Sequence, residues 1–198
     1  MKGKKQNRGF GCAKFFVVLL TLALLVAILL SSGVLKEIRT KVERQLYPLK
    51  YEDVILSASD EYNLEPEFIC AVIHTESKFE TEAQSHAGAQ GLMQIMPDTF
   101  SWLTDYRDKE HEPEDINDPA VNIDYGTFYL RYLTDKYGDE YTAAAAYNAG
   151  NVVDDWLLDP ACSSDGVTLH SIPYPETSEY VERIQFAESM YQKLYFDE

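Results

Sequence analysis

A glutamate continues an apolar stripe in a helical pattern, which is an unusual place for an acid. The stripe and the acid share one helix face, because their offsets are i, i+3, i+4 and i+7: Ile69, Val72, Ile73 and Glu76. Burial of a carboxyl disfavours its charged form, so its pKa rises and it can donate a proton near neutral pH. A helix end soon after Ser77 would raise this pKa further. The alternative is a glutamate turned out to solvent, which periodicity alone favours.

The elements that must position this glutamate are helical. Apolar residues recur at helical spacing, and no segment alternates with a period of two for long enough to predict a strand. Helices are predicted over 51–62, 66–77, 97–102, 119–137, 140–149 and 176–195. Turn-forming residues fill 79–95 and 105–118, and 159–175 is the longest irregular stretch. We therefore expect an all-α domain with long loops.

The N-terminal part has the pattern of a transmembrane helix. Residues 15–35 carry no charge, and 21 residues of helix span roughly 30 Å, the thickness of the hydrocarbon core of a bilayer. Basic residues without any acid precede this run, which predicts that 1–14 are cytoplasmic and that the C-terminal part is exported. A signal peptide cleaved near 31–33 is the alternative, although the long apolar run favours an uncleaved anchor. Cys12 precedes the run, on the wrong side for a lipid-modified cysteine.

Charge is divided unevenly along the chain. The first 35 residues hold five basic groups and no acid, whereas the remainder holds 12 basic and 33 acidic groups, a net charge of −21. Such a domain is a poor partner for nucleic acid, which selects basic surfaces. The predicted organisation is a cytoplasmic basic tail, a transmembrane helix, a stalk and an exported domain: 1–14, 15–35, 36–47 and 48–198.

The cysteines and histidines do not suggest a metal centre. Three cysteines make no disulfide framework, although a bridge between Cys70 and Cys162 remains open outside the cell. His74 and Glu76 are two residues apart and so point to different faces of a helix. The sequence gives no reason to invoke a metal or an organic cofactor.

Four short blocks resemble one enzyme family. They read ESKF at 76–79, SHAGAQGLMQIMP at 85–97, AYNAG at 146–150 and PETSEYV at 175–181. In this order and spacing they resemble the catalytic domain of the soluble-type lytic transglycosylases, which have a lysozyme-like fold with a glycan cleft. The resemblance covers residues 48–195.

The resemblance implies an activity and a substrate. Enzymes of this family cleave the β-1,4 bond between N-acetylmuramic acid (MurNAc) and N-acetylglucosamine (GlcNAc) in peptidoglycan, and they leave a 1,6-anhydro ring instead of adding water. The implied catalytic acid is Glu76, the residue that the helical stripe also singles out. The implied partners are peptidoglycan glycan strands, with the membrane contacted through the N-terminal helix.

The resemblance also implies substrate contacts in the second block. Met93 and Gln94 would line the groove as an apolar surface and an amide, while Ser85 would lie near the cut bond or cap a turn. Gly88 and Gly91 would let the backbone approach a sugar closely.

The last two blocks are expected to orient the acid and bind the sugar. Tyr147 would hydrogen-bond the Glu76 carboxyl, or serve as a core tyrosine, and Asn148 would bind substrate. Glu176 and Tyr180 would contact substrate from the last helix, although an acid at position 176 also suits a helix N-terminus.

Two positions depart from the family pattern, and other functions remain open. If the helix continued, Glu80 would stack a like charge near Glu76 and raise its pKa. The Pro-Gly pair common after the third block is replaced by Asn151 and Val152, which alters one edge of the cleft. The alternatives are a hydrolase of the same fold, as in goose-type lysozymes, a wall-binding module without catalysis, and an accessory that opens the wall for a secretion machine.

Overall fold

The structure, a computed structural model, describes residues 9–31 and 33–197. Within these ranges there are nine α-helices and no strand, and the only β pairing consists of three isolated bridges. The predicted all-α class is confirmed. The helices are α1 Gly9–Ser31, α2 Val34–Leu46, α3 Glu52–Tyr62, α4 Pro66–Ser77, α5 Pro97–Tyr106, α6 Pro119–Tyr137, α7 Glu140–Ala149, α8 Val152–Leu158 and α9 Pro175–Tyr191.

The chain divides into two compact units between Leu46 and Tyr47. The first unit contains α1 and α2. Helix α2 covers most of the predicted stalk, is largely exposed, and carries an i,i+4 ion pair in which Arg39 Nε lies 2.8 Å from Glu43 Oε1. The predicted stalk is therefore largely helical.

The uncharged run 15–35 is not one uninterrupted helix, so that part of the prediction is wrong. Helix α1 ends at Ser31 and α2 starts at Val34. Gly33, between them, has a φ of +73°, a left-handed conformation that glycine adopts without steric cost. Among the described residues, no helix combines the length and the apolar character required to cross a membrane. Much of the predicted tail 1–14 lies outside the described residues.

Helix α4 lies at the centre of the second unit. Residues 68–73 are completely buried, and a helix that is apolar on all sides belongs in a core. Helix α9 packs against α4, and α6 packs against both α3 and α7. The alanines 143–146 of α7 are buried as well, as expected for a helix that approaches its neighbours closely.

The predicted helices are confirmed, with differences at their ends. Helix α5 continues to Tyr106, and α9 ends at Tyr191 before a π-helical turn over Gln192–Phe196. A 3₁₀ turn over Pro113–Asn117 interrupts a predicted loop. Helix α8 was not predicted, because a helix of seven residues is too short to show a periodic pattern.

Candidate active site

Glu76 lies in the last turn of α4 and accepts a hydrogen bond from a tyrosine of α9. The Tyr180 hydroxyl donates to Glu76 Oε1 over 2.6 Å. Burial raises the pKa of Glu76 to about 7, while the Tyr180 hydrogen bond and the positive charge of Arg183 oppose the rise. The side chain is therefore held within the fold and does not turn out to solvent. Its carboxyl can be protonated near neutral pH.

The tyrosine that contacts the acid is not the one predicted. Tyr147 donates its hydroxyl to the Met93 carbonyl oxygen over 2.7 Å, so the predicted bond from Tyr147 to Glu76 is wrong. The reason is the packing of α9 against α4, which brings Tyr180 to the carboxyl, while α7 directs Tyr147 to the loop after α4. Burial and the nearby Glu76 charge raise the pKa of both tyrosines well above the ordinary value, so both hydroxyls remain donors.

Helix α4 ends directly after Glu76, as predicted. Lys78 and Phe79 both have positive φ values, 53° and 64°, which turn the chain away from the helix axis. Glu80 therefore does not stack on Glu76 and is instead an exposed residue 3.9 Å from Lys50. The condition for an effect of Glu80 on the Glu76 pKa, a helix that continues past Ser77, is therefore not met.

A buried asparagine of α6 fixes the loop that contains the second block. The Met93 amide donates to Asn122 Oδ1 over 2.8 Å, and Asn122 Nδ2 donates to the carbonyl oxygens of Gln90 and Ile116 over 3.1 and 2.8 Å. A Cβ on Gly91 would lie 2.3 Å from Asn122 Nδ2. Gly91 is thus required for the packing of this loop against Asn122, while its predicted approach to a sugar stays a prediction. The structural role of Asn122 was not predicted. A polar residue beside the apolar positions of a helix indicates a buried hydrogen-bonding group and could have pointed to it.

The two methionines of the second block differ in burial, and the predicted groove-lining role of Met93 is wrong. Met93 is completely buried, and a Cβ on Gly126 of α6 would lie 2.3 Å from its sulfur. Its side chain therefore fills the core and offers no surface to a ligand. Met96, at the start of α5, is 39% exposed and presents apolar surface to solvent.

Gln94 and Ser85 both hydrogen-bond within the loop. Gln94 Nε2 donates to the carbonyl oxygens of Ala83 and Gly91 over 3.0 and 2.9 Å, which orients the amide and leaves its oxygen to accept. The Ser85 hydroxyl accepts from the Ala89 amide over 2.9 Å, so this serine caps a turn, and it is also exposed. Ser85 can therefore bind a ligand only while its hydroxyl oxygen also accepts the hydrogen bond from the Ala89 amide.

The third and fourth blocks meet through one side-chain hydrogen bond. Thr177 Oγ1 of α9 donates to Asn148 Oδ1 of α7 over 2.8 Å. Asn148 and Glu176 are exposed on either side of this bond. The structure thus groups Glu76 with Tyr180 and joins the segments that carry Asn148 and Glu176.

Cys70 and Cys162 are both free and buried, so the disulfide left open by the sequence is not formed. Within the described ranges, no cluster of histidine, cysteine, aspartate and glutamate side chains could hold a metal ion.

Comparison with known proteins gives one consistent family. The transglycosylase SLT domain matches residues 53–158. The soluble lytic murein transglycosylase of Salmonella typhimurium is 35% identical over 156 residues, which cover 74% of this chain and 23% of that protein. The membrane-bound lytic murein transglycosylase C of Mannheimia succiniciproducens is 33% identical over 112 residues, 51% of this chain and 31% of that protein.

A solved structure extends the similarity to three dimensions. An inactive Glu-to-Gln mutant of the lytic transglycosylase Slt from Pseudomonas aeruginosa matches with a TM-score of 0.68 and 30% identity, over 75% of this chain and 25% of that one. The chain thus spans 23% to 31% of the length of these three proteins. The matched residues include Glu76, Met93, Gln94 and Tyr147. The chain belongs to the transglycosylase SLT domain family.

Proposed function

We propose that this chain is a lytic transglycosylase of the cell wall. It cleaves the MurNAc-β-1,4-GlcNAc bond of peptidoglycan and leaves a 1,6-anhydro-MurNAc end. The observation that carries this proposal is the Glu76 carboxyl, which burial keeps protonatable near pH 7 and which Tyr180 holds in a fixed orientation. Family membership supplies the reaction class in which such an acid works.

The first step is proton donation by Glu76. A carboxyl with a pKa of about 7 is substantially protonated at neutral pH, so it can donate to the glycosidic oxygen as the bond breaks. The Tyr180 hydroxyl occupies Oε1 and leaves Oε2 as the oxygen that faces the leaving group. Tyr180 is thus a positioning residue that fixes which oxygen carries the proton.

The second step uses the same carboxyl as a base. Bond cleavage gives an oxocarbenium-like centre, which most glycosidases stabilise with a second carboxylate. Here the 2-acetamido group of the substrate takes that part. The Glu76 carboxylate then accepts the proton of the MurNAc C6 hydroxyl, and the C6 oxygen bonds to C1 to close the anhydro ring. Since Glu76 regains its proton, the enzyme ends each cycle in its starting state.

Side chains of the second, third and fourth blocks are proposed to hold the sugar. The Gln94 amide oxygen accepts from a hydroxyl or acetamido N–H, and Met96 replaces Met93 as the apolar contact. Ser85, Asn148 and Glu176 are exposed and supply polar contacts along the proposed cleft.

Analysis of the products of purified peptidoglycan sacculi tests the reaction. We expect mass spectrometry to find 1,6-anhydro-MurNAc ends released by the full chain. Reducing MurNAc ends would show a hydrolase of the same fold instead. Binding without any release of fragments would show a wall-binding module, and either result would overturn the proposal.

We further propose that α1 anchors the enzyme in the membrane, with the catalytic domain facing the wall. Large apolar side chains such as Phe15, Leu20 and Leu24 are between 60% and 70% exposed, and such a surface requires a non-aqueous environment. The basic residues before the uncharged run favour a cytoplasmic N-terminus. The organisation 1–14, 15–35, 36–47 and 48–198 remains the proposed one, with Gly33 interrupting the second segment.

Membrane fractionation tests the anchor separately from the chemistry. The full chain should stay with the membrane pellet through an alkaline carbonate wash, whereas a Leu20→Lys, Leu24→Lys variant should be released. Protease added from outside should remove the domain after Tyr47 from spheroplasts. Release of the unaltered chain by carbonate would contradict the anchor and leave the proposed reaction intact.

A further inference from the structure

The first four residues of the second unit contact the C-terminal part of the same unit. The Tyr195 hydroxyl donates to the Tyr47 carbonyl oxygen over 2.8 Å, and the Tyr191 hydroxyl donates to the Pro48 carbonyl oxygen over 3.1 Å. The Tyr47 ring also lies edge-on to the Tyr191 ring, with 5.9 Å between the ring centroids. We call residues 47–50 the entry segment. Its backbone is fixed against the end of α9 and the π-helical turn that follows.

The entry segment also contacts the helix that carries Glu76. The Tyr47 ring is stacked on the His74 imidazole, with 4.6 Å between the ring centroids and 27° between the ring planes. His74 lies in the last turn of α4, two residues before Glu76. The Tyr191 ring lies edge-on to the same imidazole, with 6.0 Å between centroids. The last turn of α4 is therefore held by aromatic packing before the acid.

A second contact of the entry segment lies just beyond the acid. Lys50 Nζ donates to the Phe79 carbonyl oxygen over 3.3 Å. Phe79 is the second of the two consecutive residues with positive φ that follow α4, and it is only 1% exposed. Such a turn is unfavourable for residues other than glycine and persists only where contacts enforce it. The charge-assisted hydrogen bond from Lys50 is a contact of that kind.

The loop after α4 fixes the helix end at a third point. The hydroxyl of Ser77, which is buried, donates to the Leu92 carbonyl oxygen over 2.7 Å. Glu76 thus lies between His74 and Phe79, the two residues that the entry segment contacts, and directly before Ser77. A displacement of about 1 Å in a reacting group can cost about a hundredfold in rate. The contacts that fix the backbone around Glu76 therefore bear on its use as an acid.

We propose that Tyr47 and Lys50 are positioning residues for the reaction, which hold the end of α4 so that the Glu76 carboxyl keeps its place in the site. This rests on the proposed function for the identity of the reaction. Tyr47 acts through the His74 ring, and Lys50 acts through the Phe79 carbonyl oxygen. Loss of either contact should let the turn relax, open the carboxyl to water and slow the conversion of bound substrate.

Kinetics of the full chain on peptide-free glycan strands test Lys50. Lys50→Met keeps the aliphatic part of the side chain and removes the donor, so we expect kcat to fall by about tenfold with KM unchanged. Lys50→Arg keeps a charged donor and should restore most of the lost kcat. Glu80→Gln is the matched control, because it removes a carboxylate 3.9 Å from Lys50 Nζ and leaves the bond to Phe79, so kcat should not change.

The same assay tests the stacking of Tyr47. Tyr47→Leu removes the ring that packs on His74, and we expect kcat to fall by about fivefold, the equivalent of one aromatic pair. Tyr47→Phe keeps the stacked ring and should retain the kcat of the parent. Arg107→Met is the control for stability, because it breaks a 2.8 Å ion pair with Asp124 of α6. It should leave kcat per folded molecule unchanged.

A carbon-13 NMR titration of the Glu76 carboxyl gives a readout that a change in stability alone would not move. Its signal is assigned by its absence from Glu76→Gln. Burial raises the pKa of Glu76 to about 7, so a carboxyl that is more open to water should titrate at a lower pH. We expect the midpoint to move toward 4.5 in Lys50→Met and Tyr47→Leu. It should stay in place in Lys50→Arg, Tyr47→Phe and Arg107→Met.

The two proposals fail in different ways. In an active parent, the positioning role requires both the fall in kcat and the lowered midpoint, so the absence of either rejects it. A rise in KM with kcat unchanged would also reject it, because the entry segment would then bind substrate. If the parent releases no anhydro products and the midpoint still falls in both variants, the reaction is rejected and the positioning role is kept. The Lys50 side chain is 46% exposed, so Lys50→Met should fold and decides the question if Tyr47→Leu does not.

Discussion

Glu76 and Asp124 each accept a hydrogen bond from a tyrosine, and they differ in whether a cation contacts the carboxylate. Asp124 accepts from Tyr62 and also receives both ends of the Arg107 guanidinium, at 2.8 and 3.2 Å. Glu76 accepts from Tyr180 but has no ion-pair partner among the described residues. One carboxylate is neutralised by contact with a buried arginine, and the other is left to take up a proton.

The comparison shows that a tyrosine–carboxylate hydrogen bond can serve structure, as at Asp124, or chemistry, as proposed for Glu76. The Arg107 side chain is 6% exposed, and its guanidinium lies 4.6 Å from the Tyr125 ring and 4.7 Å from the Phe128 ring. This cluster joins α3, α5 and α6 by charge-assisted hydrogen bonds. At Glu76 a contacting cation would lower the pKa and remove the proton that the reaction needs.

Removal of the acid should have the largest effect. Glu76→Gln keeps the shape of the side chain and its bond from Tyr180 but cannot donate a proton, so we expect activity on sacculi to fall by roughly a thousandfold. Glu80→Gln is the matched control, because Glu80 is four residues away and 75% exposed at its side chain. Equal wall clearance by Glu76→Gln and the parent would show that Glu76 is not the acid.

Removal of the buried cation should act on stability instead. Arg107→Met leaves the partly buried Asp124 carboxylate beside Tyr62 without its partner, and we expect the free energy of unfolding to fall by about 3 kcal/mol. The control is Arg131→Met, which breaks a more exposed ion pair with Asp135 and should cost less than about 1 kcal/mol. Urea unfolding at pH 7 measures both. Equal losses would mean that the Arg107 cluster does not act as a structural clamp.

The raised pKa of Glu76 also predicts how stability depends on pH. A carboxyl whose pKa is lowered by folding stabilises the protein as pH rises, whereas Glu76 has the opposite effect. Because folding raises the Glu76 pKa from 4.5 to about 7, the folded state loses stability as pH rises through this window. Below pH 4.5 the residue is protonated in both states and has no effect. Glu76→Gln should therefore be more stable than the parent by about 3 kcal/mol at pH 8 and nearly equal to it at pH 4. A constant difference across this range would contradict the raised pKa.

The sequence was sufficient for the helices and for the acid. The apolar stripe before Glu76 marked it as a candidate buried acid with a raised pKa. Periodicity alone favoured an exposed glutamate, and the four sequence blocks reversed that preference. The end of α4 at Ser77 was predicted by the change in pattern at that point.

The partners of the acid could not be predicted, because they depend on how distant helices pack. Tyr147 and Tyr180 are both tyrosines in recognisable blocks, and only the approach of α9 to α4 decides that the second one contacts Glu76. Which of Met93 and Met96 is buried could not be predicted either, although the two residues are only three positions apart. The turn between them decides which one is buried, and the contact of Met93 with Gly126 is not visible in the local sequence.

The smallest expected effect is that of removing the Tyr180 hydroxyl. This effect reports most specifically on how the Glu76 carboxyl is positioned. The Tyr180 hydrogen bond lowers the Glu76 pKa, so Tyr180→Phe should raise it further. Since the acid must be protonated, the fall in kcat/KM at high pH should move to a higher pH, with a loss of activity of about tenfold or less at pH 6 from poorer positioning. Tyr141→Phe is the matched control, because it removes a 2.9 Å bond to Glu188 elsewhere on α9 and should leave the pH profile unchanged. A profile that shifts in both variants would trace the effect to the stability of α9. A profile that shifts in neither would mean that Tyr180 does not tune the acid.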